Sequence, residues 1–352
     1  MLHGVGRQTE LTERQRIVLR GVISAYVGEA APVGSVTLSH LLPTRLSSAS
    51  IRSTLAELTE LGFIDKPHTS AGRIPTEKGF RLFIDQLLAP QGLAEYDRRT
   101  IDFQVDEAEL GTVYYTAAQL LSEQTRLLGF VVEPPIAEAV LCHVSLVRLT
   151  AERILAVLVA DSGTTYRRVI DDRSDLDQRE LDRIAALLNQ RVVGRTLPQV
   201  RSALEREARR LRRKAGALLV KALELGSRAL SADDAGTGAG DLVIATRLVL
   251  LEQPEFRDPE RIRELYEAIE TKERLLDVLH QVLEGSGVCV ALGGEVDDPA
   301  LRRCALVACH YGGTEDRPMG VLGVIGPNRM DYARVISLVD YFSRAVTEKL
   351  SA

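Results

Sequence analysis

The stretch FIDKPHTSAGRIPT, residues 63–76, limits the possible folds of this chain more than any other part of the sequence. Each of its two prolines fixes its own φ and biases the preceding residue towards extended backbone. Small polar side chains lie between the prolines, and one arginine directly follows a glycine. Phe63–Lys66 is typical of a short strand and Arg73–Ile74 of its return. The stretch therefore predicts a β-hairpin with stiff arms and a small tip.

Three helices are predicted before this hairpin, and the first two are short-range predictions from their end residues. Thr12 and Gln15 have the spacing of a capping box, in which each side chain accepts a hydrogen bond from the backbone of the other residue. Apolar residues at helical spacing follow as far as Gly28, where the helix is expected to fade. Ser35 is expected to cap a short second helix, which Pro43 ends.

A third helix is predicted from the serine cluster at 47–50 to Leu61, with Gly62 in the left-handed position after its end. Its apolar residues share one face, whereas Arg52 and small residues occupy the opposite face near the N-terminus. After the hairpin, Thr76 is expected to cap a last helix. Three helices, a hairpin and a closing helix together predict a winged helix-turn-helix, which would place the third helix in the major groove of DNA. For the third helix alone, an ordinary three-helix bundle with small outer residues is the alternative.

The candidate DNA contacts follow from these positions. Small side chains allow close approach, hydroxyl and guanidinium groups can bond to bases, and no carboxylate precedes Glu57 in the third helix. Base contacts are expected from Ala49, Ser50, Arg52 and Ser53, phosphate contacts from Ser48 and the helix N-terminus, and backbone or minor-groove contacts of the hairpin from Lys66, His68, Thr69, Ser70, Gly72 and Arg73.

The remainder of the chain alternates between helical and strand patterns. One long helix is predicted within 95–130, three strands within 142–170, and further helices as far as 225. The glycine-rich segment 231–240 is interpreted as a loop or a domain boundary. Strands flanked by helices at both ends favour an α+β sensor-like unit in the C-terminal part. Its predicted strands are 242–244, 287–292, 305–310 and 319–325, with a long helix from Asp258 and a final helix from about Tyr332.

Length and charge narrow the classes of function. At 352 residues the chain is expected to form two or three domains. The net charge is −5, but residues 1–90 contain ten Lys or Arg and eight Asp or Glu, which gives +2. Because no apolar run approaches about 18 residues and no secretory signal is evident, a cytoplasmic protein without membrane contact is expected. The basic run 206–214 is interpreted as a solvated helix face, with a second nucleic-acid surface as the alternative.

No pattern typical of catalysis or ligand binding is evident, so no enzyme activity, cofactor or metal site is expected. The glycines of 320–326 lie in a strand pattern and do not open a helix as a nucleotide-binding loop does. The four cysteines lack zinc-site spacing and are interpreted as reduced thiols buried in strands: Cys142, Cys289, Cys304 and Cys309.

Several stretches resemble the HrcA family of heat-inducible transcription repressors. Near the N-terminus they are LTERQRIVLRGVISAYVGEAAPVGSVTL and SSASIRSTLAELTELGFIDKPHTSAGRIPTEKGFR. Towards the C-terminus they are QPEFRDPERIRELYEAIETKERLL and MGVLGVIGPNRMDYARVISLVDYF. The sequence departs from the family at Ser50-Ile51-Arg52-Ser53, where Thr-Ile-Arg-Asn is usual, and at Val36, where a basic residue is common.

The resemblance implies an α+β multidomain protein. Its segments would be a winged helix-turn-helix at 1–90, the first part of a GAF-like domain at 91–138, an inserted dimerisation domain at 139–235 and the second part of the GAF-like domain at 236–352. A homodimer would bind inverted-repeat operator DNA and repress chaperone operons. A GroEL-type chaperonin would promote the active state, and heat would relieve repression. One alternative is a regulator whose GAF-like domain senses a small molecule, and another is an enzyme with a DNA-binding appendage.

Overall fold

A computed structural model gives the fold of the chain. The structure describes residues 11–42, 46–67, 72–88, 91–134, 139–161, 163–172, 174–196, 199–200, 202–203, 225, 242–245, 253–256, 263, 265, 272–283, 287–313 and 318–351. The predicted basic helix face at 206–214, the loop at 231–240 and the start of a helix at Asp258 lie outside the described residues. The described elements make the protein an α+β chain with helices and several sheets.

The N-terminal elements follow the predicted order of three helices, a hairpin and a helix. They are α1 (Glu13–Glu29), α2 (Ser35–Leu41), α3 (Ser48–Glu60), β1 (Ile64–Asp65), β2 (Ile74–Pro75) and α4 (Glu77–Leu82), which continues as a π-helical turn over Phe83–Leu87. We call the described part of residues 11–88 the N-terminal unit. Strands β1 and β2 pair antiparallel, with Ile64 opposite Pro75.

Most of the predicted helix ends are confirmed. Thr12 and Gln15 form a complete capping box, and the Thr76 side chain accepts from the N–H of residue 79. Gly62 takes φ +76°, the left-handed conformation that glycine adopts without strain. The prediction for Ser35 was wrong: Gly34 holds the extended N-cap position of α2, and Ser35 is the first helical residue.

The single long helix predicted within 95–130 is instead two helices and a strand. They are α5 (Glu95–Glu107), α6 (Val113–Thr125) and β3 (Leu128–Val132). Ala108 turns to extended backbone directly after two acidic residues, which are unfavourable at the negative end of a helix. Arg126 ends α6 with φ +55°. Leu110, which the periodic pattern placed inside a helix, lies in the connection and is partly exposed.

A five-stranded antiparallel sheet forms the centre of the molecule, in the order β8-β3-β11-β10-β9. Its later strands are β8 (Leu242–Ile244), β9 (Val288–Leu292), β10 (Cys304–Tyr311) and β11 (Gly320–Pro327). Val307 on β10 lies between Val290 on β9 and Val324 on β11. Since β8 pairs with β3, all four predicted C-terminal strands are present and paired. Because β3 pairs with both β8 and β11, the sheet joins segments far apart in sequence.

Helices cover both faces of this sheet. The helices α6 and α9 (Tyr332–Ser351) pack on the face that contains Val307 and Val324. Helix α8 (Lys272–Val282) packs on the opposite face, against Phe130, Leu306 and Ile325. The apolar core on the first face continues into the N-terminal unit through the rings of Tyr26, Phe80 and Tyr332.

A second sheet lies between β3 and β8 in sequence. It contains β4 (Val140–Thr150), β5 (Arg153–Ala160), β6 (Thr165–Asp171) and β7 (Arg195–Thr196), all antiparallel in the order β6-β5-β4-β7. Helix α7 (Gln178–Val192) packs on it and forms a separate apolar core. The side-chain amide of Asn189 bonds to both backbone groups of Val144, at 2.7 and 2.9 Å, and so fixes α7 against β4. The three predicted strands and the first predicted helix are confirmed. The second predicted helix, around 200–225, lies mostly outside the described residues.

The four cysteines all lie in strands, but they are not all buried. Cys142 is exposed, whereas Cys304 and Cys309 are buried in β10. Burial raises the pKa of Cys304 to about 12, and burial also raises the pKa of Cys309. Since the thiolate is the reactive form, a raised pKa and burial both protect these two thiols.

We therefore expect Cys304 and Cys309 to remain unmodified when the native protein is treated with N-ethylmaleimide at neutral pH. The same two residues should be modified completely in concentrated guanidinium chloride, where burial and the raised pKa are lost. Peptide mapping by mass spectrometry measures both. Rapid modification of Cys304 in the native protein would contradict its position in the core.

Candidate nucleic-acid interface

Helix α3 buries one face and exposes the other. Ile51, Leu55 and Leu58 are buried against the rest of the N-terminal unit. The Ser47 side chain caps the helix by accepting from the N–H of residue 50 at 3.1 Å. The predicted contact residues divide by exposure: Ala49, Arg52 and Ser53 are exposed, while Ser48 and Ser50 are half-buried.

Arg52 lies along the exposed face of α3, one turn after the start of the helix. Its Nε donates to the Ser48 carbonyl oxygen at 3.3 Å. This bond holds the side chain near the helix N-terminus, where the first N–H groups and the helix dipole favour anions. The structure therefore brings Ser48, Ala49, Arg52 and Ser53 together on one small-residue surface with a single positive charge.

Glu57 connects this surface to α1, a link that was not predicted. Its carboxylate accepts from Gln15 Nε2 at 2.9 Å, from Ser53 Oγ at 3.2 Å and from Arg14 Nη2 at 3.4 Å. The charge of this first carboxylate in α3 is thus engaged within the N-terminal unit. The i, i+4 spacing of Ser53 and Glu57 is a signal in the sequence, but the pairing with α1 depends on the tertiary structure.

The described hairpin residues that were predicted to contact DNA differ in their exposure. Lys66 is exposed at the end of β1, and its N–H donates to Asp65 Oδ1 at 2.7 Å. Arg73 is half-buried: its Nε donates to Thr59 Oγ1 at 3.1 Å, and its backbone exchanges two 2.8 Å hydrogen bonds with Val33. Arg73 therefore ties the hairpin to α3 and to the turn before α2. The predicted contacts His68, Thr69 and Ser70 lie outside the described residues.

Gly72 has a packing role that its sequence context did not reveal. A Cβ at this position would lie 2.6 Å from the carbonyl carbon and oxygen of Val33 and 2.7 Å from the carbonyl carbon of Pro32. Backbone atoms cannot move aside as a flexible side chain can, so only glycine fits here without a shift. The absence of a side chain at 72 is needed for the hairpin to dock on the turn before α2.

Two arginines attach the N-terminal unit to the five-stranded sheet. Arg81 of α4 pairs with Glu295 and donates to the Val290 carbonyl oxygen at 2.9 Å. Arg329, which follows β11, donates to the Val27 carbonyl oxygen at 2.8 Å and to Glu255 Oε1 at 2.6 Å. The surface of α3 is therefore held in a defined position relative to the sheet. The residues near Glu295 in sequence do not indicate this pairing, because Arg81 lies 214 residues earlier.

In the described part of the chain, no helix combines the length and the hydropathy of a membrane span.

The chain is similar in sequence to proteins of one class, the transcription repressors. The family model described as "HrcA protein C terminal domain" matches residues 112–336. The heat-inducible transcription repressor HrcA of Geobacter sulfurreducens is 36% identical over 344 residues, covering 97% of this chain and 99% of that protein. The protein of the same name from Nitratidesulfovibrio vulgaris is 36% identical over 345 residues, covering 96% of this chain and 95% of the relative. The chain belongs to the HrcA family of heat-inducible transcription repressors.

A solved structure supports the fold along the whole chain. The crystal structure of a hypothetical protein is similar with a TM-score of 0.64 and 22% sequence identity, covering 97% of this chain and 99% of that one. At this identity the likeness is evidence for the fold alone.

Proposed function

We propose that the chain is a DNA-binding repressor whose N-terminal unit is a winged helix-turn-helix. In this proposal α3 enters the major groove and the hairpin of β1 and β2 is the wing. The observation that carries it is the exposed face of α3, where Ala49, Arg52 and Ser53 stand together while the first carboxylate, Glu57, bonds to α1. Small side chains allow close approach to base edges, and the arginine can bond to guanine.

The wing contacts belong to the same proposal. Lys66 and the tip residues His68, Thr69 and Ser70 would approach the DNA backbone or the minor groove. Gly72 and Arg73 would take part from the base of the hairpin. Ser48 and Ser50, near the N-terminus of α3, would serve phosphate and base-edge contacts respectively.

The remaining segments would organise a dimer. We propose that 91–138 and 236–352 form one GAF-like domain, because β3 pairs with β8 and β11 in a single sheet. The segment 139–235 would be an inserted dimerisation domain, supported by its own sheet and its separate apolar core. A two-fold dimer matches two half-sites of an inverted-repeat operator, since protein symmetry is mirrored in the DNA.

Heat would relieve this repression. The relatives are named heat-inducible transcription repressors, which supports relief by heat. Chaperone operons as targets and a GroEL-type chaperonin that promotes the active state are proposed from the family resemblance. The alternative is a regulator whose GAF-like domain senses a small molecule. The cavity between α8 and the five-stranded sheet has a volume of about 10 Å³ and is lined by apolar side chains, so it has room for about one water molecule.

We expect Arg52→Ala to weaken binding to an inverted-repeat duplex from a chaperone-operon promoter by about 1–3 kcal/mol, and binding to random duplex much less, because a bidentate base contact is lost. Mobility shift at one fixed salt concentration measures both. The matched control is Arg99→Ala on α5, whose side chain is 78% exposed and pairs with Glu95. Equal losses on both duplexes would make Arg52 a phosphate contact, and no loss on either would refute the role of α3.

A further inference from the structure

An unbroken chain of hydrogen bonds leads from the N-terminus of α1 to the exposed face of α3. The backbone N–H of Thr12 donates to Gln15 Oε1 at 2.9 Å. The amide nitrogen of Gln15 donates to Glu57 Oε2 at 2.9 Å. The Ser53 hydroxyl donates to Glu57 Oε1 at 3.2 Å. The capping box of α1 and the outer surface of α3 are therefore parts of one network.

The chemistry of each group fixes the direction of this chain. A backbone N–H can only donate, so the Gln15 amide must turn its oxygen towards Thr12 and its NH2 group towards Glu57. A carboxylate can only accept, and Arg14 gives Oε1 a second donor at 3.4 Å. The Ser53 hydroxyl has one proton, which the carboxylate receives. Only the lone pairs of Ser53 Oγ remain for another partner.

We propose that Ser53 is a specificity-determining residue that reads a DNA base as a hydrogen-bond acceptor, with Glu57 as the residue that fixes its polarity. The proposal rests on the proposed function, in which the exposed face of α3 lies in the major groove. Base-edge donors in that groove are the N6 amino group of adenine and the N4 amino group of cytosine. Guanine and thymine present only acceptors and a methyl group there, so they would face a lone pair without a proton.

The neighbouring residue has the opposite polarity. A guanidinium has donors and no acceptor, so Arg52 selects guanine, whose O6 and N7 both accept. Two adjacent positions of α3 thus read complementary properties of the bases. A half-site recognised by this helix combines a guanine for Arg52 with an amino-bearing base, adenine or cytosine, for Ser53.

The test is a selection experiment with the full-length protein. A duplex library with an inverted repeat and randomised half-sites is bound by wild type, Arg52→Ala, Ser53→Ala and Glu57→Ala, and the bound fraction is sequenced. Wild type should enrich adenine or cytosine over guanine and thymine at one position of each half-site. Ser53→Ala should reduce this preference about three- to tenfold at that position and leave the other positions unchanged, because one hydrogen bond is lost.

Glu57→Ala is the decisive variant, because it leaves Ser53 in place and frees its proton. Ser53 can then donate as well as accept, so amino-bearing and keto-bearing bases should be enriched about equally at that position. Arg14→Ala is the matched control: it removes a different contact of the same carboxylate, at 3.4 Å, and should leave the base preference unchanged. Circular dichroism and melting temperature check that all variants fold.

The outcomes separate this inference from the proposed function. If Ser53→Ala leaves every position unchanged while Arg52→Ala alters one, the inference is wrong and the proposed function stands. A wild-type preference for guanine or thymine at the Ser53 position, or an unaltered preference in Glu57→Ala, also overturns the inference. If wild type enriches no sequence at all, both fail.

Discussion

Replacing Gly79 by alanine should destabilise the N-terminal unit by about 2 kcal/mol. Gly79 is buried in the first turn of α4, against the backbone of Phe63, the residue that precedes β1. A Cβ at this position would overlap the backbone carbonyl oxygen of Phe63 and lie 3.2 Å from its carbonyl carbon. Overpacking of this kind typically costs 1–3 kcal/mol, and here the obstacle is backbone, so we expect the upper end. The gain of about 1 kcal/mol from a better helix former offsets only part of this cost.

Gly28→Ala is the matched control, because Gly28 is also a helical glycine, in α1, and among the described residues no atom beyond its chain neighbours and its own stretch of helix backbone lies within 4 Å of a Cβ built there. This variant should be stabilised by up to about 1 kcal/mol through helix propensity alone. Native-state hydrogen exchange of amides in α1 and α3 measures both changes in opening free energy. Equal stability of the two variants would mean that α4 can move away from Phe63 at no cost.

The features that were correctly predicted depend on local chemistry. A capping box requires residues three apart, and a left-handed glycine requires only the end of its own helix, so Thr12 and Gly62 were found from the sequence. The strands of the second sheet were found for the same reason. Buried and more exposed residues alternate along β5, which assigns each side chain to one face of the sheet. The short connections on both sides of β5 pair it with β4 and β6.

The features that were missed depend on partners distant in sequence. Nothing near Arg73 indicates that its side chain bonds to Thr59 instead of pointing towards the tip of the hairpin. The same holds for Glu57, whose partner Gln15 lies 42 residues earlier. Periodicity also continued across Leu110, because a pattern of apolar residues does not record the acidic residues that end α5.

The candidate surface on α3 was therefore only partly predictable. Its residue types and their exposure follow from the helical pattern, which separates Arg52 and Ser53 from the buried face. The hydrogen-bond polarity of Ser53 does not, because it is imposed by α1 through Glu57. A side chain that looks equally able to donate and to accept in the sequence is restricted to one of these roles by the fold.

Arg329→Ala should lower the opening free energy of the last turn of α1 by about 3 kcal/mol, which corresponds to about 100-fold faster amide exchange. The guanidinium bonds to a terminal carbonyl of α1, that of Val27, and to Glu255 and Gln253. Helix α1 has no basic residue in its own last turn, so Arg329 supplies the positive charge that its negative end favours. Its side chain is 13% exposed, so water can replace these partners only in part.

Arg334→Ala tests whether this effect is specific to the attachment of the N-terminal unit. Arg334 lies in α9, its side chain is 45% exposed, and it pairs with Asp97 at 3.4 Å, away from α1. This pair joins α9 to α5, so its loss should leave the exchange of α1 as in wild type. Equal acceleration in both variants would mean a general loss of stability. Unchanged exchange in Arg329→Ala would show that the ring contacts of Tyr26, Phe80 and Tyr332 and the pairing of Arg81 hold the unit without Arg329. Arg329→Lys should restore only part of the protection, because one ammonium group cannot reproduce the planar fork that reaches three partners.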